Sequence, residues 1–234
     1  LPGTFTKEYT EAGSYTNIAW AYVVDNEGNS ASDDDTKTVT VTDVMPTIVL
    51  TKTASPASLA EPGGTFTYTY SVHNDSVETV KLTKVTDDIL GTLYEWKTGD
   101  PVIWIAPQGD YLLPGTFEKT YSDAGSYTNI AWAYATDNEG NQASDDDTKT
   151  VTVTDTKPAI TLTKTASPAS LAEPGGVFTY TYTVHNDSVE AVKLTKLTDD
   201  VLGTLYEWKA GDPEIWIAPG GDYLLPGTFT KTYT

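Results

Sequence analysis

Cysteine and arginine are both missing from this 234-residue chain, and histidine occurs only twice. Without cysteine there is no disulfide framework and no thiolate metal site, and the redox compartment cannot be read from pairing. All 14 cationic side chains are lysine; they face 33 carboxylates, for a formal net charge of −19. That sign argues against nucleic acid or an anionic membrane as partner and suits cation binding, solubility in salt or a repulsive surface. No apolar run approaches the ~18 residues of a membrane-spanning helix, so no direct membrane insertion is expected. The chain opens on Leu1 with neither Met nor a leader, so an external location implies a mature chain or a piece of something longer. What apolar material there is, 38% of residues with 15 Tyr and 6 Trp, suffices for real cores and argues against disorder.

Repetition dominates what is present. "LPGTF" begins at Leu1, Leu113 and Leu225, "LTKTASPASLAEPGG" at Leu50 and Leu162, and "DDDTKTVTVTD" at Asp33 and Asp145, all 112 residues apart. Laying residues 1–122 on 113–234 leaves 101 of 122 positions identical, the mark of recent duplication in an array. The unit is too long for a solenoid repeat and has the size of a self-contained domain.

Within one unit the hydrophobic period is two. Phe66, Tyr68, Tyr70 and Val72 alternate with Thr and Ser, and the same rhythm runs through 47–53, 79–85, 115–121, 126–136 and 149–155. Turn formers such as "SPASLAEPGG", "HNDS", "APQGD" and "DNEG" separate these runs, and no stretch has a helical period. About seven short strands per 112-residue repeat predict an all-β fold of tandem immunoglobulin-like β-sandwiches. Boundaries fall at "TDVMPT" and "TDTKPA", giving the C-terminal part of one repeat at 1–45, a complete repeat at 46–157 and the N-terminal part of the next at 158–234. Residues 225–234 repeat the phase of 1–10, so the two partial units overlap; a window on a continuous array fits this better than strand exchange between chains.

The run "LTKTASPASLAEPGGTFTYTYSVHNDS", the "LTKVTDDILG" segment, the "LPGTF" strand start and the hairpin "SYTNIAWAYVVDNEGNSASDDDTKTVTVTD" together resemble the Ig-like tandem repeats of large bacterial and archaeal cell-surface proteins. The resemblance covers essentially the whole unit. It implies an extracellular, cell-surface sandwich array in stalks, adhesins, sheaths or filaments, and it carries over no catalytic residues. No enzyme is expected.

The acidic stretch "DNEGNSASDDDT" poses the main chemical question. It places Asp25, Glu27 and Asn29 in a hairpin turn, with Asp33, Asp34 and Asp35 on the returning arm; Asp137, Glu139, Asn141, Asp145, Asp146 and Asp147 are the second copy. Such a loop offers Ca²⁺ the several oxygens it takes, although the glycine position and the lack of flanking helices exclude an EF-hand. The pairs Asp87, Asp88 and Asp199, Asp200 join the candidate set, and Asp43 and Asp155 fall at the junctions, where a cation would brace successive units. The alternative is a solvated turn that keeps the array soluble.

Other candidates are thinner. His73 and His185 read as loop or strand-end residues. Asn74 and Asn186, each in "NDS", fit a glycosylation acceptor in an exposed turn. Tyr94, Trp96, Trp104 and Tyr111 crowd segment 90–115 as core, as a packing surface, or as a platform for a glycan or protein ligand. Lys52, its copy Lys164, and Asn129 raise an intramolecular isopeptide bond, since alternation sets Lys52 on the face of Ile48 and Leu50; an edge lysine that discourages aggregation is the alternative. Two functions follow: a structural shaft stiffened by Ca²⁺, whose partners are neighbouring repeats and identical chains, or a multivalent adhesin binding through the aromatics.

Overall fold

A computed structural model describes residues 3–234; Leu1 and Pro2, the start of the first "LPGTF", lie outside the described residues. Every regular element among them is a strand. The alternating, Thr-rich segments supply what a pleated half-buried surface needs, with β-branched and aromatic side chains on one face and hydroxyls on the other.

The first two strands, β1 (Gly13–Val24) and β2 (Ser30–Val41), form a long hairpin. The middle unit then contributes β3 (Ile48–Ser55), β4 (Ser58–Ala60), β5 (Gly64–Asn74), β6 (Val80–Asp87), β7 (Gly91–Glu95), β8 (Trp104–Ile105), β9 (Asp110–Leu112), β10 (Phe117–Tyr121), β11 (Gly125–Thr136) and β12 (Gln142–Thr154). Seven of these ten have five residues or more, as the periodicity predicts; β4, β8 and β9 are short edge pieces that it does not resolve.

They form two sheets. One has the order β10-β5-β3, with β9 also pairing to β5; the other has the order β4-β12-β11-β6-β7, with β8 on β6. The chain leaves β3 at its far end and adds β4 to the opposite sheet, parallel to β12. This is the connectivity of an immunoglobulin-like sandwich, whose first strand divides between the two sheets. The core between them holds Leu50, Phe66, Tyr68, Tyr70 and Val72 from the first sheet against Val80, Leu82, Val85, Ala131, Ala133 and Val151 from the second.

The partial units show what completion contributes. In the third, Ile160–Ser167 pairs with Gly176–Asn186 in the register that β3 and β5 use. Among the described residues no strand of the β11 and β12 kind covers it, and Leu162 is 51% exposed where Leu50 is 3% exposed. In the first hairpin Val39 is 47% exposed, against 0% for its counterpart Val151. Nearly identical local sequence makes most of the same strands in each place, but 170–172, the copy of β4, is not a strand and the copy of β6 is split into Val192–Lys193 and Lys196–Asp199; burial depends on the opposite sheet.

Candidate functional site

The acidic hairpin divides into parts with different work. In the turn, Asp137 is buried, and its Oδ1 accepts from the amides of Gly140 and Asn141 at 2.8 Å each, while Asn141 Nδ2 donates to Oδ2 at 2.9 Å. Burial pushes this carboxyl up, but the Asn141 side-chain bond and the turn amides outweigh it and hold it below the ordinary range. Asp25 does the same for its own turn through Asn29 and Glu27. Both aspartates spend their oxygens closing the hairpin.

On the returning arm, alternation sends Asp145 and Asp147 to one face and Asp146 to the other. Asp145 Oδ2 accepts from the Leu50 amide and Asp147 Oδ2 from the Lys52 amide, each at 2.7 Å. The edge of β3 that faces away from β5 is thus satisfied by carboxylates of β12, in place of a neighbouring strand. Asp146 is exposed, as are Asp33, Asp34 and Asp35 in the first hairpin, where no β3 lies alongside. Asp88 Oδ1 accepts from the Ile130 amide at 3.0 Å, and its counterpart Asp200 is exposed. These carboxylates do not gather into one ligand set with the turn.

A different acidic group does converge, at the joint between the first hairpin and the middle unit. Asp43, Glu78 and Glu139 bring one carboxylate oxygen each to within 4.8 Å of one another. Asp43 lies in the linker, Glu139 in the β11–β12 turn and Glu78 in the loop after β5, so the joint draws on both units. Asn141 Nδ2 donates to Asp43 Oδ2 at 2.8 Å, and Asn138 Nδ2 to Glu11 Oε2 at 2.6 Å. Glu78 Oε2 is buried without a hydrogen-bond partner among the described residues. Burial, then the negative charges of Glu139, Asp43, Asp137 and Glu11, push its carboxyl up. The next joint repeats the theme: Glu190 is pushed up by its hydrogen bond to Glu61, by burial, and by the charges of Glu61, Asp155 and Asp123. Asp155 and Glu190 are the copies of Asp43 and Glu78. Sequence reasoning missed Glu78, since only its recurrence beside each linker pointed to it.

A buried polar group lies between the sheets. Lys52 of β3, Asp87 at the end of β6 and Asn129 of β11 are 2%, 3% and 1% exposed. Lys52 Nζ donates to Asp87 Oδ2 at 2.7 Å, and Asn129 Nδ2 lies 2.9 Å from both Asp87 oxygens. Tyr70 Oη donates to Oδ2 at 2.8 Å, and the Ile89 and Leu90 amides donate to Oδ1. Burial pushes Asp87 up, yet the Lys52 bond, the Leu90 amide and Tyr70 together hold it below the carboxylate range. Burial draws Lys52 down, only partly opposed by the Asp87 bond and the charges of Asp87, Asp88 and Asp147. Asn129 Oδ1 is buried with no hydrogen-bond partner among the described residues. In the third unit Lys164, Asp199 and Tyr182 repeat the arrangement, but the Lys164 side chain is 40% exposed.

The remaining candidates resolve simply. Asn74 and Asn186 are fully buried strand ends, a correction to the exposed-turn reading. Asn74 Nδ2 donates to the carbonyls of Glu78 and Ile105, and Asn186 Nδ2 to those of Glu190 and Ile217, so the folded unit presents no acceptor nitrogen for a glycan. His73 Nδ1 meets Asp110 Oδ1 at 2.9 Å on the strand surface. Tyr94 and Tyr111 pack partly buried against the core, whereas Trp104 is 54% exposed and Trp96 carries Lys81 Nζ 2.8 Å from its ring centre. The aromatics therefore split between the core and the outer face.

No protein-family model matches the chain, and no curated protein matches it. Among solved structures it is similar to one described as "Structural insight into host cell surface retention of a 1.5-MDa bacterial ice-binding adhesin". That likeness has 17% identity and a TM-score of 0.32 and covers 90% of this chain. The chain spans 62% of the length of that adhesin chain. A likeness to the E. coli chaperone DraB has 10% identity over 80% of this chain and 96% of that one, with a TM-score of 0.21. The class defined by the fold is the all-β sandwich of immunoglobulin type, repeated in tandem.

Proposed function

We propose that the chain is a segment of a structural array at the outside of the cell, the shaft of a surface filament, stalk or sheath, with joints stiffened by Ca²⁺. The observation that carries this reading is the joint, where Asp43 of one unit meets Glu78 and Glu139 of the next. Three carboxylates held that close repel one another unless a cation intervenes, and oxygen-only ligands in a tolerant geometry suit Ca²⁺. Linkers of a few residues, between Val41 and Ile48 and between Thr154 and Ile160, leave little slack for a hinge. The partners are neighbouring repeats and identical chains; the role is architectural, with no catalytic turnover.

Calcium titrated into EDTA-stripped protein tests this. Stoichiometric heat and a rise in melting temperature are expected, and at a hundredfold excess over Kd the gain is about 2.7 kcal/mol. Both should vanish in the Glu78→Gln, Glu139→Gln double variant; heat that persists there, or no heat in the parent protein, overturns the joint site. A second reading, a multivalent adhesin, is favoured by the exposed Trp104 and its copy Trp216 on the outer face. It predicts glycan or protein capture that is lost on Trp104→Ala with folding retained.

A further inference from the structure

A buried lysine beside a carboxylate normally reads as an ion pair, but asparagine is a third member here that an ion pair does not need. Asp87 already has Lys52, Tyr70 and two backbone amides as donors. Asn129 adds a donor to a carboxylate that lacks none, at the expense of an orphaned Oδ1 in the core. What the trio supplies instead is a set of reacting groups: an amine, a primary carboxamide, and a carboxylate whose Oδ2 bonds the nitrogen of each.

We propose that Lys52 Nζ and Asn129 Cγ join in an intramolecular isopeptide bond, with Asp87 relaying the proton. Asp87 takes a proton from the Lys52 ammonium, and the freed amine attacks Asn129 Cγ. The tetrahedral adduct carries the former Nδ2 as its leaving group, and Asp87 passes it the proton through the same oxygen. The Cγ–Nδ2 bond breaks as the Cγ–Nζ amide forms. The proton left on the new amide nitrogen goes to ammonia, which departs as ammonium, and Asp87 ends as it began. The step is redox-neutral and needs no co-reactant.

The surroundings favour it. The rings of Tyr68 and Tyr70 lie 5.2 and 5.7 Å from Nζ, and the three polar side chains are shut off from water that would compete for Cγ. Fixed neighbours react as though at very high concentration. The lowering of the Lys52 pKa by burial favours the neutral amine that attacks. The bond would tie β3 of one sheet to β11 of the other, a brace that a cysteine-free chain cannot obtain from a disulfide. Tension entering before β3 and leaving after β12 would then bypass residues 53–128.

Intact-mass spectrometry of the denatured 234-residue chain decides. Only the middle unit of this chain contains all three residues, because Lys164 and Asp199 have no asparagine of the Asn129 type after them and Asn17 has no lysine of the Lys52 type before it. The expected mass is therefore below the sequence mass by one ammonia, about 17 Da, with a branched Lys52–Asn129 peptide after digestion. Lys52→Met, Asp87→Ala and Asn129→Ala should each restore the full mass for their own sequence. A parent mass equal to the sequence mass overturns the proposal, whatever the variants do. So does a deficit that persists in Asn129→Ala, which would assign the bond to Lys52 and Asp87.

Discussion

Asp87 is the position where a small change should cost most, and Asn129→Ala is the background in which to measure it. That background keeps the Lys52–Asp87 pair and removes the carboxamide, so stability reports the pair without any covalent link. Adding Asp87→Ala then leaves the Lys52 ammonium between the sheets without its hydrogen-bonded counter-charge, with only the charges of Asp88 and Asp147 remaining. Breaking a buried pair from one side costs about 3–5 kcal/mol. Tyr70 Oη and the Ile89 and Leu90 amides also lose their acceptor, and each buried donor left dry costs about 1–3 kcal/mol. These losses do not sum, because the vacated carboxyl volume admits water and Lys52 can shed its proton. The net expected loss is about 4 kcal/mol by urea unfolding. At roughly 4–8 °C per kcal/mol this is a fall of about 20 °C in melting temperature. A loss under about 1 kcal/mol, the size of an exposed ion pair, would refute the claim that Lys52 is held charged in a dry core.

Two further outcomes follow from burial and charge. Leu50→Ala should cost about 2–5 kcal/mol in urea unfolding, while Leu162→Ala, at a half-exposed copy of the same site, should stay within about 0.5 kcal/mol; equal losses would show that the third unit finds its missing sheet elsewhere. Glu78 has its folded pKa raised above 4.5, so the folded joint holds that proton more tightly than the unfolded chain does. Its contribution to stability is therefore present below pH 4.5 and lost as pH rises through the folded value. In EDTA, melting temperature should improve more for the parent than for Glu78→Gln as pH falls from about 7 to 4.5. The groups facing Glu78 are Glu139, Asp43, Asp137 and Glu11, and parallel profiles would mean that their repulsion does not reach it.

How far the sequence could be read depended on whether a signal was local. Strands, turns and repeat length came from alternation and from Gly, Pro and Asn punctuation within a few residues, and those parts match the fold. Lys52 could be assigned to the core face because it shares the parity of Ile48 and Leu50. Asp87 was readable as a strand end but not as the partner of Lys52 and Asn129, which lie 35 and 42 residues away. The run Asp145, Asp146, Asp147 looked like one cluster of ligands. The pleat sends its members to opposite faces, and two of them cap amides 95 residues distant. Asn74 looked like a turn residue because "NDS" is turn chemistry, yet its amide is buried, bridging the Glu78 and Ile105 carbonyls.

By itself, then, the sequence determined an all-β chain of 112-residue units with short, acidic joints, because period-two patterning and duplication are written residue by residue. Only the tertiary structure decided which carboxylates face one another. It drew Asp43, Glu78 and Glu139 together at a joint and closed Lys52, Asp87 and Asn129 between two sheets. The physical reason is that burial and charge pairing are set by what packs opposite a strand, and in a sandwich that partner comes from a remote stretch of chain.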